Sequence, residues 1–253
     1  DHNRSVYTLA GQDHGTALAD ALTAGARAAL ERLDIGTHEG LHPHVGTLDV
    51  APIVYLAPEQ RGAACAQALV LAERLGGELE IPVFIYGELG GGLTRAEVRR
   101  GGPHELARRI EAGELTPAFG PAHMHPRAGA VLVGARPPLI AFNVELGPPA
   151  TLETARAVAA LIREGGSEGL WGVRAIGLTL AHRGGVAQVS TNIEDHTRTS
   201  PAQVLNAIAR HARPLCAEVI GLPPRAAFAD FPAQLPVRNL RFLEDALAQA
   251  ENH

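Results

Sequence analysis

Seven consecutive residues, His38-Glu39-Gly40-Leu41-His42-Pro43-His44, gather three imidazoles and a carboxylate. Imidazoles titrate near neutrality and also bind metals, so this segment can move protons or hold an ion. Its letters HEGLH match the HExxH zinc-protease pattern. That pattern works only on a continuous helix, with both histidines on one face and the glutamate as base. Gly36 precedes the segment, Gly40 sits inside it and Pro43 follows at once, and all three oppose a helix. A zinc hydrolase is therefore the weakest reading of the segment. A non-helical metal site from His38, His42 and His44, or a histidine-rich loop on a scaffold, stays open, and the expectation is no metal.

Composition narrows the chemistry further. All 22 basic side chains are arginine, and lysine is absent from the 253 residues. Schiff-base enzymes, Walker-A ATPases and catalytic-lysine kinases are excluded for this chain. Gly90-Gly91-Gly92 thus reads as a flexible connection rather than a phosphate loop. Among acid/base candidates, the 12 histidines lead. A net charge of −5 argues against nucleic acid as a partner. No apolar run reaches the ~18 residues of a membrane span. Cys65 and Cys216 cannot form a disulfide framework, and a cytoplasmic location is the simplest reading.

These residues need elements to position them. Strands are expected at Ser5–Ala10, Leu48–Leu56, Ile81–Tyr86, Ala130–Gly134 and Leu139–Val144. Pro52 marks its strand as an edge or a bulge. Val173–Leu180 and Val186–Ile193 read as a hairpin around Arg183-Gly184-Gly185. Helices are expected over Ala17–Leu33, Glu59–Leu75 (stopped by Gly76-Gly77), Thr94–Arg100, Pro103–Glu111, Thr151–Arg163, Ser200–Arg213 and Leu240–Ala250. Strands and helices alternate, the pattern of an α/β protein. Because proteins seldom begin inside a sheet, residues preceding Asp1 are expected in the natural protein.

A family resemblance emerges from several segments in order. His42-Pro43-His44-Val45-Gly46-Thr47-Leu48-Asp49-Val50-Ala51-Pro52 resembles the HPRMGALDVxPF segment of glutamate formiminotransferases. Asn3-Arg4-Ser5-Val6-Tyr7-Thr8 is similar to NRTVYTF, and Pro82-Val83-Phe84-Ile85-Tyr86-Gly87-Glu88 to PVYLYGEA. Phe119-Gly120-Pro121 resembles a DFGP turn. Gly129-Ala130 and Gly134-Ala135-Arg136 match GA-x-x-x-GAR, and Leu139-Ile140-Ala141-Phe142-Asn143 is similar to FLIAFNI. Ala187-Gln188-Val189-Ser190-Thr191-Asn192 is identical to AQVSTN, and Glu218-Val219-Ile220-Gly221-Leu222 approximates EIVGL. Each segment is short, yet together they span nearly the whole chain.

The resemblance implies two similar α/β subdomains, residues 1–135 and 136–253. Their mixed β-sheets would face each other with helices outside and a ligand tunnel between. It implies transfer of the formimino group from N-formimino-L-glutamate to tetrahydrofolate, giving 5-formiminotetrahydrofolate and L-glutamate in histidine catabolism. The histidine of the HP pair, His42, would be the general acid/base. Folate contacts would come from Gly120, Pro121, Ala122, His123, Met124, His125, Pro126, Arg127, Ala128 and Gly129. A homodimer is implied as well. Substrate carboxylates call for arginine, which binds them in bidentate fashion. Arg4, with Asn3 in the matching NR pair, comes first for that role, then Arg127 and Arg136.

Supporting roles fall to His38, His44, Asp49, Asn143, Gln188 and Asn192. Asp49 could orient a histidine or act as a local cap. Gln188, Ser190 and Asn192 alternate on one strand face. Two departures from the family pattern stand out: His44 replaces its arginine, and its PNFSEG opening does not precede Asn3. These keep open a second reading, a catalytically altered folate- or small-molecule-binding protein of the same fold.

Overall fold

The computed structural model of the protein describes residues 2–11 and 15–250. They fall into two compact units. Leu9–Pro137 with His2 forms the first, and the chain from Pro138 onward with Asn3–Thr8 forms the second.

The first unit runs α1 (Ala17–Arg32), β1 (Val50–Val54), α2 (Arg61–Glu78), β2 (Val83–Ile85), α3 (Arg95–Arg99), α4 (Gly102–Glu111) and β3 (Val131–Arg136). Its three strands lie in the order β1-β3-β2, all parallel. Strand residues alternate between two buried faces. Ala51, Ile53, Val83, Ile85, Val131 and Val133 pack on α1 and α2, whose alanines and leucines (Ala19, Ala26, Ala68, Leu71, Leu75) fill that layer. Phe84 and Leu132 point the other way, against Val45, Val98 of α3, and Leu106 and Ile110 of α4. A parallel sheet covered twice explains why these strands read as unbroken apolar runs. Pro52 is tolerated because β1 is an edge strand.

The second unit runs β4 (Ile140–Leu146), α5 (Leu152–Ile162), β5 (Val173–Leu180), β6 (Val186–Ile193), α6 (Pro201–Ala209), β7 (Pro214–Ile220), β8 (Val237–Arg238) and α7 (Leu243–Ala250). The sheet order is β5-β6-β4-β7-β8, antiparallel except for the parallel β7–β8 pair. Phe142, Val144, Val189 and Val219 meet Val158, Ile162, Val204 and Ile208 of α5 and α6, with Phe228 beside them. Thr151 and Ser200 cap α5 and α6, accepting hydrogen bonds from the Thr154 and Gln203 amides, both at 3.3 Å. The expected hairpin is present. Its turn ends on Gly184 and Gly185 with φ of +72° and +78°, a pair of left-handed residues that only glycine adopts readily.

The protein is thus α/β with two sheets. The second sheet is mixed, whereas the first is all parallel and carries helices on both faces. Two local expectations are corrected. Residues 5–10 form no strand, since no described strand pairs with them, and Tyr7 is 86% exposed. Gly76-Gly77 does not end α2, which continues to Glu78. Gly76 is instead a notch: a Cβ there would lie 2.5 Å from the Gly120 amide nitrogen.

Gly76→Ala should therefore cost about 1–3 kcal/mol by overpacking. At the exposed Gly77, where a Cβ meets nothing nearer than 3.7 Å, alanine should stabilise by up to ~1 kcal/mol. Urea unfolding midpoints of the two variants check this. Equal shifts would show that Gly76 has no special contact.

Candidate active site

A single 3₁₀ turn, Ile35–Thr37, precedes the histidines, with Asp34 accepting from the Gly36 amide at 2.9 Å. Residues 38–44 are then irregular, so the HEGLH histidines lack the helical geometry of a zinc protease. Among the described residues, no group of three or more His, Cys, Asp or Glu is gathered as metal ligands would be. His42 is half-buried, and its Nδ1–H donates to the Pro43 carbonyl at 2.9 Å. A carbonyl can only accept, so the neutral ring carries its proton on Nδ1 and Nε2 is the basic nitrogen. His44 donates from Nδ1 to the His42 carbonyl at 3.1 Å. The His38 ring stands edge-on to His44 with centroids 4.5 Å apart. His2, which sequence reasoning passed over, brings its ring within 6.1 Å of His42.

Immediately after His44 the chain is bound to the segment expected to contact folate. Ala130 N–H donates to Val45 O and Thr47 N–H to Ala128 O, both at 2.9 Å. Gly46 and Gly129 form a β-bridge between these bonds. A Cβ on Gly46 would lie 2.0 Å from Ala130 O, and one on Gly129 2.3 Å from Val45 O. Asp49 caps this turn, accepting from Val45 N–H at 2.8 Å, and its other oxygen pairs with Arg99. Both loops lie at the amino ends of β1 and β3. Open parallel sheets more often bind ligands at their carboxyl ends.

The 120–129 loop has its own scaffold. Phe119 bridges to Val83, and Gly120, with φ +78°, sits on Gly76. His125 Nδ1 accepts from the Arg127 amide at 3.2 Å and the Ala128 amide at 2.9 Å. That nitrogen must be unprotonated to do so. Burial pushes the His125 pKa down, the charges of Arg127 and His123 add to this, and Glu80 opposes it. Met124 packs beside Val45 and Leu132, and Ala128 is buried. Ala122, His123, Pro126 and Arg127 are exposed, and Pro121 is half-buried. His125 and Arg127 line an open cavity of about 600 Å³ with Arg27, Leu30 and Glu80. Arg127 also donates to Leu33 O at 3.3 Å and lies 3.9 Å from Asp34.

Not every expected site residue joins these loops. Arg136, half-buried at the end of β3, donates to Pro137 O at 2.9 Å. Asn3 and Arg4 are exposed and belong to the segment grouped with the second unit. Asn143, Gln188 and Asn192 share one face of the second sheet, where Asn143 opposes Ser190 and Glu145 opposes Gln188. Sequence reasoning missed Glu145 on that face, although it alternates with Asn143. Its carboxylate, 3% exposed, accepts from Arg238 at 2.6 Å, from Arg183 at 3.2–3.3 Å and from the Cys216 thiol at 3.3 Å. Burial alone would raise its pKa; the hydrogen bonds from Arg238, Arg183 and Cys216 outweigh it and hold the group at about 2. Gln188 is fully buried, and neither of its amide atoms has a hydrogen-bond partner.

Comparison with known proteins gives two matches that divide the chain. Residues 1–136 match the formiminotransferase domain, N-terminal subdomain, and residues 141–231 match the formiminotransferase domain. Glutamate formimidoyltransferase of Streptococcus pyogenes serotype M1 is 34% identical over 90% of this chain and 78% of its own length. The protein of that name from Thermoplasma acidophilum is 32% identical over 91% of this chain and 77% of its own. The formimidoyltransferase-cyclodeaminase of Sus scrofa is 36% identical over 96% of this chain, which spans only 47% of that longer protein.

The His125 turn makes stability depend on pH. Unfolded, the ring titrates near its ordinary value of 6.5; folded, it titrates lower. Its contribution is present above about 6.5 and is lost as pH falls through the folded value, by at most ~1.4 kcal/mol per pH unit. His125→Asn keeps a local acceptor and does not titrate. Urea midpoints measured from pH 7.5 to 5 should fall less steeply in this variant than in wild type. An unchanged slope would remove His125 from the support of the turn.

Proposed function

Because the chain belongs to the formiminotransferase family, we propose that it moves the formimino group of N-formimino-L-glutamate to tetrahydrofolate, with His42 as proton carrier. The products are 5-formiminotetrahydrofolate and L-glutamate. A bond forms between the attacking folate amine and the amidine carbon, and the bond from that carbon to the glutamate nitrogen breaks. The proton lost by the attacking nitrogen must reach the departing one. Nε2 of His42 accepts it and then returns it, a contribution typically worth ~10²–10⁴ in rate. No metal-bound step is needed for this proton balance.

One observation carries the reading. The His42 loop and the 120–129 segment, two elements far apart in the chain, are joined by backbone hydrogen bonds through Val45–Thr47 and Ala128–Ala130. A proton carrier and a folate-contacting loop held on one frame act by positioning. Arg127, on that loop, offers a guanidinium to a substrate carboxylate. In the second unit, the buried amide of Gln188 has both a donor and an acceptor unmatched. Buried polar atoms are nearly always matched, and this amide is an exception. The family reading also gives a homodimer, which sedimentation velocity checks.

Purified protein given formiminoglutamate and tetrahydrofolate should release L-glutamate and form 5-formiminotetrahydrofolate. His42→Gln should keep its fold and bind folate while turnover falls by about two to four orders of magnitude. His38→Ala and His44→Gln should cost less. Near-normal turnover in His42→Gln together with its loss in His44→Gln would transfer the proton role to His44. Folate binding without product would favour the non-catalytic reading.

A further inference from the structure

The His42 reading places the proton carrier on a loop without regular structure, and such a loop must take its geometry from elsewhere. Several restraints are local. Pro43 fixes its own φ, the His42 ring is bonded to Pro43 O, and the His44 ring is bonded back to His42 O. Two restraints come from outside residues 38–44, and the first is the pair of backbone bonds that Val45 O and Thr47 N–H make to Ala130 and Ala128; the second is a carboxylate. Asp49 holds Val45 N–H with one carboxylate oxygen and meets Arg99 with the other.

Arg99 is itself held at its base. It is the last residue of α3, whose first turn is closed by a reciprocal box: Glu97 N–H donates to Thr94 Oγ1 at 3.1 Å, and Thr94 N–H donates to Glu97 at 2.7 Å. At the other end, the buried Arg109 of α4 donates to Glu97 O at 2.8 Å and Val98 O at 3.4 Å. Val98 is fully buried against Phe84 and Leu132. The Arg99 and Asp49 side chains are only 10% and 12% exposed. A local cap on Val45 N–H requires only a neutral acceptor, such as asparagine. A charged cap paired with a largely shielded arginine fixes the carboxylate from two elements at once, and removing either partner strands a charge.

We propose that Arg99 is a positioning residue for formimino transfer, acting through Asp49 and Val45 on the backbone that presents His42. The inference rests on His42 being the proton carrier. It assigns to α3 and α4, which contribute none of the expected site residues, the task of fixing that histidine in place.

The test is a set of variants assayed well below their unfolding temperatures: Arg99→Met, Arg99→Lys, Asp49→Asn and His42→Gln, with the double variants. Arg99→Met should lower kcat about 10–100-fold, the loss expected from a small misplacement of a reacting group. KM for tetrahydrofolate should change little, and Arg99→Lys should restore part of kcat. Asp49→Asn, which keeps an acceptor for Val45, should slow turnover in the same direction and serves if Arg99→Met fails to fold. Added to His42→Gln, either substitution should have almost no further effect on the residual rate, because the group being positioned is gone. A lowered unfolding midpoint with unchanged kcat per folded molecule would overturn the proposal and leave a structural pair. The full factor persisting in the His42→Gln background would also overturn it. If His42→Gln by itself retains turnover, the proton-carrier reading fails, and that failure is visible without the Arg99 variants.

Discussion

The contact between Gly46 and Gly129 is the constraint on which the first unit's candidate site depends. Strand backbones joined by ladder hydrogen bonds lie less than about 5 Å apart. The bonds from Ala130 N–H to Val45 O and from Thr47 N–H to Ala128 O bring two loops to that spacing before either strand begins. Any side chain at 46 or 129 would strike a carbonyl oxygen of the opposite loop. With both positions bare, an antiparallel bridge joins the loops just ahead of the parallel β1–β3 ladder. Asp49, the His125 turn and the Gly76 notch then each fix one more point of the same frame.

The second unit follows a different logic. Its candidate surface is a sheet face whose groups are side chains rather than loop backbone. A buried carboxylate is costly unless matched. Glu145 is matched by two arginines and a thiol, one arginine from the hairpin turn and one from β8, so its pairing ties both edges of the sheet to the central strand. Gln188, its cross-strand neighbour, is left with nothing. A saturated anion thus stands beside an unsatisfied amide on this face.

Much of this was legible in the residues. Threonine and serine caps, the Gly184-Gly185 turn and the unbroken apolar strands are local signals, and the elements formed where those signals stood. The histidine loop was legible, through Gly40 and Pro43, as something other than a helix. Gly76 was misread because a glycine near a helix end has the same letter whether it stops the helix or admits a neighbour. The segment after Asn3 was misread because strand-prone residues form a strand only where a partner is available. Arg99 and Arg238 could not be singled out at all. Their partners, Asp49 and Glu145, lie 50 and 93 positions away, and an isolated arginine carries no mark of burial.

The position of the candidate site on the sheet sets its electrostatic character. In the first unit α1, α2 and α4 finish just ahead of the loops at the amino ends of the strands: Arg32 before the histidine loop, Glu78 before β2, and Glu111 before the Ala118–Phe119 stretch bonded to Val83. Each helix ends in carbonyls that act as roughly half a negative charge, felt within about one turn. One is already in use, as Leu33 O accepts from the Arg127 guanidinium. An edge lined with helix carboxyl ends favours cations, among them imidazolium and amidinium, over the phosphate groups that helix amino ends attract. Its built-in field therefore suits a reaction whose positive charge resides on nitrogen, and places phosphoryl chemistry at a disadvantage on this side of the sheet.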